Sequence, residues 1–281
     1  MTTACPLCGS ADLDRKYDLR SVTCPLAVPG WIVRCRRCSM WFKTVDADAA
    51  VANAYRDEYA DVEGADGYMT GSAARAFFRR VLQDAGRGGA LLDIGSGQGA
   101  LVEEATRLGY TAMGVDRCEP LVRKARARGV RVECGTIDDV DGAERFDVVT
   151  MMDVIEHVPE PRRLVAAAHR LLKPRGRLVV YTPNHRAAVV MVARALHGLG
   201  APVAVREIFG GNHVCFFDDR SLPRTLAAEG FTVDALRLSP YDTARPGQPV
   251  SRASLAAVAV AEAIGRPFGR VFRMLAFATH A

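Results

Sequence analysis

Three glycines at alternate positions, Gly95, Gly97 and Gly99, stand between Asp93 and an apolar run that keeps helical spacing from Leu101 to Leu108. That order reads as strand, tight turn, helix. Glycine is needed where the backbone takes φ > 0, or where a ligand comes so close that a Cβ would collide. A ligand lying on the turn, over Gly95-Ser96-Gly97, is therefore predicted. The string Gly95-x-Gly97-x-x-Ala100 fits the loose dinucleotide fingerprint, but two carboxylates change the expected ligand. Asp93, at the strand end, would repel a pyrophosphate and welcome a cation. Asp116, followed by Arg117, ends the next apolar run, Thr111 to Val115, and is placed to accept both hydroxyls of a ribose. The ligand that suits both is a nucleoside carrying positive charge, which describes S-adenosylmethionine (SAM).

A second constellation is metallic. Cys5-Pro-Leu-Cys8 and Cys35-Arg-Arg-Cys38 are C-x-x-C knuckles separated by 26 residues. Two such knuckles complete a tetrahedral four-thiolate zinc site with no open position, so the ion is expected to be structural. A segment this short buries little core, and metal binding would supply its folding energy, on the order of 10 kcal/mol. Cys24 is spaced wrongly for either knuckle, and Cys118, Cys134 and Cys215 read as small core or near-site residues. Of the net charge of +5, residues 1–44 carry +4, from seven Lys/Arg against Asp12, Asp14 and Asp18. That imbalance admits a phosphate-gripping, RNA-modifying alternative.

The elements that must position these residues follow in order. With 49% hydrophobic and 25% charged residues, the 281-residue chain can bury a full core. The opening Met-Thr-Thr-Ala-Cys is no charged-then-apolar leader, and no apolar run reaches roughly 18 residues, so a cytoplasmic protein is expected. The reading divides the chain into a zinc ribbon at 1–45, a helical lid at 46–85 and a SAM-binding domain at 86–281. The lid includes Tyr55, Tyr59, Tyr68 and a helix from Ser72 to Leu82. Strands are expected at 130–134, 146–152 and 177–182, alternating with helices, which is the pattern of a doubly wound, mostly parallel α/β sheet. An apolar insertion at 184–216 is predicted to cap the acceptor site. A strand from Phe231 and a final antiparallel strand from Val271 would bring the sheet to seven. The apolar insertion and tail hint at a hydrophobic acceptor or weak membrane association.

Four motifs in sequence order, Leu-Asp-Ile-Gly-Ser-Gly-Gln-Gly, Gly-Val-Asp, Phe-Asp-Val-Val-Thr-Met-Met-Asp-Val-Ile-Glu-His-Val and Leu-Leu-Lys-Pro-Arg-Gly-Arg-Leu, resemble class I SAM-dependent methyltransferases. Within them the chain is similar to the ubiquinone-biosynthesis O-methyltransferases, over roughly residues 70–240. The resemblance implies that Asp93, Gly95, Ser96, Gly97 and Gly99 line the methionine part of SAM and that Asp116, with Arg117, holds the ribose. It implies Thr136 and Ile137 at the adenine, Met151 and Met152 at the sulfonium, and Arg75 at the SAM carboxylate. Thr136 departs from an Asp found in many members. The implied activity is O-methylation of a small-molecule acceptor, with C- or N-methylation of a sugar or natural-product intermediate as the alternative.

Methyl transfer from a sulfonium is an in-line displacement, so alignment does most of the work, up to roughly 7–11 kcal/mol. A hydroxyl nucleophile gains about 10²–10⁴-fold more from a positioned base. His213, in a glycine-rich turn under the cap, is the favoured base and His157, after the fourth strand, the second. Asp153, Glu156 and Glu160 could instead bind Mg²⁺ to orient a catechol-like acceptor.

Overall fold

The computed structural model describes residues 3–19, 30–44, 70–86, 88–201, 203–209, 211–240 and 252–280. Cys24, and the lid positions Tyr55, Tyr59 and Tyr68, lie outside the described residues.

Seven strands build the main sheet: β4 (Gly89–Ile94), β5 (Tyr110–Asp116), β6 (Val132–Cys134), β7 (Phe146–Met152), β8 (Leu172–Pro183), β10 (Phe231–Ser239) and β11 (Arg273–His280). Their order is β6-β5-β4-β7-β8-β11-β10. The pairs among β4 to β8 are parallel, whereas β11 runs antiparallel to both its neighbours, as the tail predicted. The order reverses between β4 and β7, the switch point where open α/β sheets bind ligands beyond the strand ends. The central strands read as continuous apolar runs because helices cover both faces: Leu91 and Leu92, Val148 and Val149, and Leu178 to Val180 are all buried.

The covering helices show why they form. Helix α1 (Ser72–Ala85) buries Ala74, Phe78, Val81, Leu82 and Ala85, the three- and four-residue spacing of one helical face. Helix α2 (Ala100–Arg107) starts directly from the glycine turn, and α3 (Glu119–Ala127) and α4 (Pro161–Leu171) each carry a proline in the first turn, where its missing N–H costs nothing. The insertion forms α5 (Ala188–Gly198) and α6 (Val203–Phe209), followed by α7 (Ser221–Ala227) and α8 (Arg252–Gly265). Leu172 already pairs with Phe146, so the Lys173-Pro-Arg-Gly176 turn becomes an irregularity inside β8, with Arg175 at φ 64°. The exposed large hydrophobics among the described residues, Met191, Val192, Leu196, Leu199, Val260, Ile264 and Phe268, all lie on α5, on α8 or just beyond them.

The amino-terminal ribbon is a sheet in its own right, with β1 (Leu13–Asp18), β2 (Trp31–Cys35) and β3 (Trp41–Lys43). Its fourth strand comes from far along the chain. β9 (Cys215–Phe216) pairs antiparallel with β3, Trp41 opposite Phe216 and Phe42 opposite Cys215. The ribbon sheet thus closes on the last residues of the 184–216 insertion.

Candidate functional site

The turn after β4 is held open by its glycines. Gly95, Gly97 and Gly99 all have positive φ, at 67°, 52° and 76°. A Cβ on Gly95 would lie 2.5 Å from Val154, so this glycine lets the turn press against the residues that follow β7. A Cβ on Gly97 would meet only Leu121 at 3.9 Å, which leaves its face free for a ligand. Asp116 Oδ2 accepts from the Gly97 amide at 2.7 Å and Oδ1 from the Cys118 amide at 2.8 Å. Each carboxylate oxygen accepts more than one hydrogen bond, so two ribose hydroxyls still find partners there. Asp93 is 3% exposed, and burial pushes its carboxyl up to about 7, opposed by a 2.6 Å hydrogen bond from Thr150. A nearby cation would restore its charge. The Ser96 hydroxyl is buried without a partner. These features fit a cationic nucleoside such as SAM.

The remaining donor-site expectations scatter. Thr136 caps the one-turn helix Ile137–Asp139 and so shapes the end of β6, with Ile137 buried. Arg117 and Cys134 are exposed at the same strand ends. Met151 and Met152 are both buried in β7, packed into opposite faces of the sheet. Arg75 pairs with Glu103 at 2.6 Å and Glu104 at 3.3 Å, and donates to the Thr70 carbonyl.

In the ribbon, the Cys5 and Cys38 sulfurs lie 3.4 Å apart and those of Cys8 and Cys35 3.6 Å apart. All four gather within 4.8 Å. Tetrahedral zinc with Zn–S about 2.3 Å needs sulfur separations of about 3.8 Å. The four thiols fit one structural Zn²⁺.

The acceptor chemistry converges on β9. His157 and His213 meet edge to face with ring centroids 4.8 Å apart. The Val214 amide donates to the Glu156 carbonyl, the Lys43 amide to the Val214 carbonyl and the His185 amide to the Phe217 carbonyl, each at 2.8 Å. Glu156 is 1% exposed; Oε2 accepts from Thr182 at 2.9 Å while Oε1 has no partner. Burial, with Asp153 nearby, holds this carboxyl well above its usual range. Burial and the surrounding positive groups hold His213 well below the usual imidazole range. A neutral imidazole is the form able to accept a proton. Glu156, His157 and His213 bring three donor atoms within 4.8 Å of one another. Asp153, Glu156 and Glu160, the alternative Mg²⁺ ligands, do not come together. Asp153 is ion-paired with Arg273, and Glu160 sits at the surface beside Arg163.

Two residues here escaped the sequence reading. Lys43 was counted only as a basic residue of the ribbon, yet it is 6% exposed beside the junction. His185, just past β8, is 8% exposed, with both ring nitrogens unpartnered. The proximity of His185 to β8's carboxyl end was the one available signal. Aromatic side chains pack the ribbon against α5 and α6: Trp41 stacks on Phe209 with centroids 6.0 Å apart, Tyr17 meets His197 of α5 at 4.8 Å, and Arg194 lies 4.3 Å from the Trp41 ring centroid.

Comparison with known proteins agrees with this geometry. A family described as "Methyltransferase domain" matches residues 65–236. The chain is 34% identical over 154 residues to a ubiquinone biosynthesis O-methyltransferase of Bradyrhizobium diazoefficiens, covering 52% of this chain and 59% of that protein. A protein of the same name from Xanthomonas oryzae is 36% identical over 149 residues, covering 50% and 60%. The chain thus spans about three-fifths of the length of these relatives. Among solved structures, the 1,6-didemethyltoxoflavin-N1-methyltransferase of Burkholderia thailandensis, with bound 1,6-didemethyltoxoflavin and S-adenosylhomocysteine, shares the fold. It has a TM-score of 0.57 at 18% identity, covering 88% of this chain and 97% of that one.

Proposed function

We propose, from the premise that this chain belongs to the methyltransferase-domain family, that it transfers a methyl group from SAM to a hydroxyl of a small aromatic or otherwise apolar acceptor. Bound SAM supplies an already activated methyl on a sulfonium. The chain's part is to hold it: Asp116 at the ribose, the open face of Gly97 beneath it, and Asp93 as the countercharge. His213, with His157 against it, takes the acceptor proton. The observation that carries this reading is the meeting of His157 and His213 next to the donor turn, since Val154, whose side chain abuts Gly95, lies three residues before His157.

The apolar character of the insertion favours a ring-bearing or greasy acceptor over a bare sugar, and the exposed apolar side chains of α5 and α8 favour weak association with a lipid surface. Reduced thiolates for zinc favour a cytoplasmic setting. An RNA acceptor is less well supported. The ribbon's Lys43 is buried, and Lys16 and Arg36 pair with Asp14 and Asp12. A second reading rests on the Glu156–His157–His213 cluster, which could hold a divalent ion that orients a catechol; two imidazoles suit zinc or iron better than Mg²⁺.

The test is formation of S-adenosylhomocysteine from SAM over a panel of phenols and catechols. His213→Ala should cut turnover by about 10²–10⁴-fold with S-adenosylhomocysteine affinity intact. Loss of turnover on chelation, restored by a transition metal and with the ribbon's zinc retained, would select the second reading. Uptake of NADH with no affinity for S-adenosylhomocysteine would sink both.

A further inference from the structure

The junction between ribbon and catalytic domain gathers groups able to carry positive charge without giving them an anion. Lys43 is buried, and among the described residues its amine donates to the Gly211 carbonyl alone. Its Nζ lies 5.9 Å from the centroid of Phe216, and the His185 ring packs on the same Phe216 at 4.6 Å. His185 is also buried, tilted against Phe209 at 5.6 Å, and offers an N–H and a ring nitrogen that nothing among the described residues satisfies. The carboxyls on the turn after β7, which bonds to Val214 beside β9, are otherwise engaged. Asp153 is paired with Arg273, and Glu156 is bonded to Thr182 and held toward its neutral form by burial.

A buried ammonium without a counter-ion is costly, and burial accordingly draws the Lys43 amine down to about 7. His185 is drawn to about 3 by burial and by Lys43. Unpaired buried donors of this kind are uncommon in native folds and call for a partner. Water could satisfy either ring nitrogen, but it would not neutralise the amine. An anionic oxygen does both.

We propose that Lys43 and His185 form a subsite for a carboxylate on the acceptor, so that the zinc ribbon supplies part of the substrate specificity. The proposal rests on the methyl-transfer reading, because it places this carboxylate on the molecule whose hydroxyl lies at His157 and His213. One amine and one imidazole match the two oxygens of a carboxylate. Phosphate sites instead use guanidinium forks or rows of backbone amides, and Lys43 with His185 supplies neither. The ribbon then acts as a wall of the pocket: β3 hangs on β9, and the side chain at the end of β3 reads the acceptor's charge.

The test is calorimetric binding to the full, zinc-loaded chain saturated with S-adenosylhomocysteine, using benzoate, benzamide and inorganic phosphate as probes. Benzoate should bind in preference to benzamide and phosphate. Lys43→Met should weaken benzoate at least tenfold, whereas Lys43→Arg should stay within about threefold. These magnitudes follow from a charge-assisted hydrogen bond of about 1.5–3 kcal/mol. His185→Phe, which keeps a ring between Phe209 and Phe216, should lose benzoate similarly and covers the case in which Lys43→Met does not fold. No benzoate binding by a chain that takes up S-adenosylhomocysteine overturns the subsite alone, as does equal binding by Lys43→Met or His185→Phe. Phosphate binding in place of benzoate overturns the carboxylate assignment. Failure to bind S-adenosylhomocysteine at all is instead a failure of the methyl-transfer reading.

Discussion

The glycine-turn crevice, where we place the methyl donor, and the β9 junction, where we place the acceptor, sit at the same carboxyl edge of one sheet, but they are built in opposite ways. The crevice comes from consecutive turns: residues 93–99 after β4, Asp116 after β5, and Thr136–Ile137 after β6. Its parts are tied by short contacts between neighbours in the fold, such as the Gly97 amide on Asp116. The junction gathers Lys43, Glu156–His157, Thr182–His185, His213–Phe217 and Arg273 from across the chain. Its hub is the two-residue strand Cys215–Phe216, on which the ribbon hangs. The crevice is thus a property of the common fold. The junction depends on the ribbon, whose four cysteines fit a structural zinc.

That difference predicts that the two can be separated, and the largest effect should come from the zinc. Cys35→Ser removes one thiolate, and zinc affinity in such sites is folding energy, on the order of 10 kcal/mol. The expected outcome is loss of zinc and of the β3–β9 pairing, with acceptor turnover down by about 100-fold, the usual consequence of reacting groups misplaced by about 1 Å. Affinity for S-adenosylhomocysteine should stay within about twofold. Metal analysis, calorimetry and turnover on the same preparation decide it. A parallel collapse of donor affinity would show that the regions fold as one cooperative unit and would break the comparison.

The contrast also explains what was legible beforehand. Alternate glycines, strand-end carboxylates and knuckle spacings are local patterns. Each announces its geometry within a few residues, so the strand–turn–helix at residues 93–108 and the gathering of the four cysteines were readable. The alternation of apolar runs likewise exposed the sheet and its antiparallel last strand. Lys43 and His185 belong to no local pattern. Lys43 looks like any basic surface residue until β3 pairs with β9, a contact between segments more than 160 positions apart. Arg75 illustrates the reverse case. The family resemblance implies a ligand contact for it, and in this structure Glu103 and Glu104 on α2, one turn of helix from the glycine loop, pair with its guanidinium.

A medium effect should sharpen the electrostatic side of the comparison. Asp93 titrates at about 7 in the folded chain against a usual 3.8, because burial penalises the carboxylate. The folded state therefore holds this proton more tightly than the unfolded one. Its contribution to stability is fully present below about pH 3.8 and is lost as pH rises through about 7. A cationic ligand over the turn favours the ionised form, so binding below pH 7 must expel the proton. SAM affinity should rise about tenfold between pH 6 and pH 8, and Asp93→Asn should flatten that dependence. Calorimetry across this range is the measurement. A flat profile in the wild-type chain would remove Asp93 as the countercharge.

The smallest effect belongs to a pair of glutamates four residues apart that the sequence treats alike. Glu156 is buried with one oxygen bonded to Thr182 and the other unpartnered beside two imidazoles. Glu160 is a surface residue, 3.8 Å from Arg163, with both side chains about 70% exposed. An exposed pair of that kind contributes about 0–1 kcal/mol. Glu160→Gln should therefore leave the melting temperature within about 2 °C and turnover unchanged, with or without added divalent metal. The distinction follows from the turn after β7: the one-turn helix at Ile155–His157 points Glu156 inward beneath β8, and Pro161 then starts α4 with Glu160 at its solvent end. A metal-dependent loss of turnover in Glu160→Gln would place a cation outside the junction, on the flank of α4, and the acceptor would have to be moved with it.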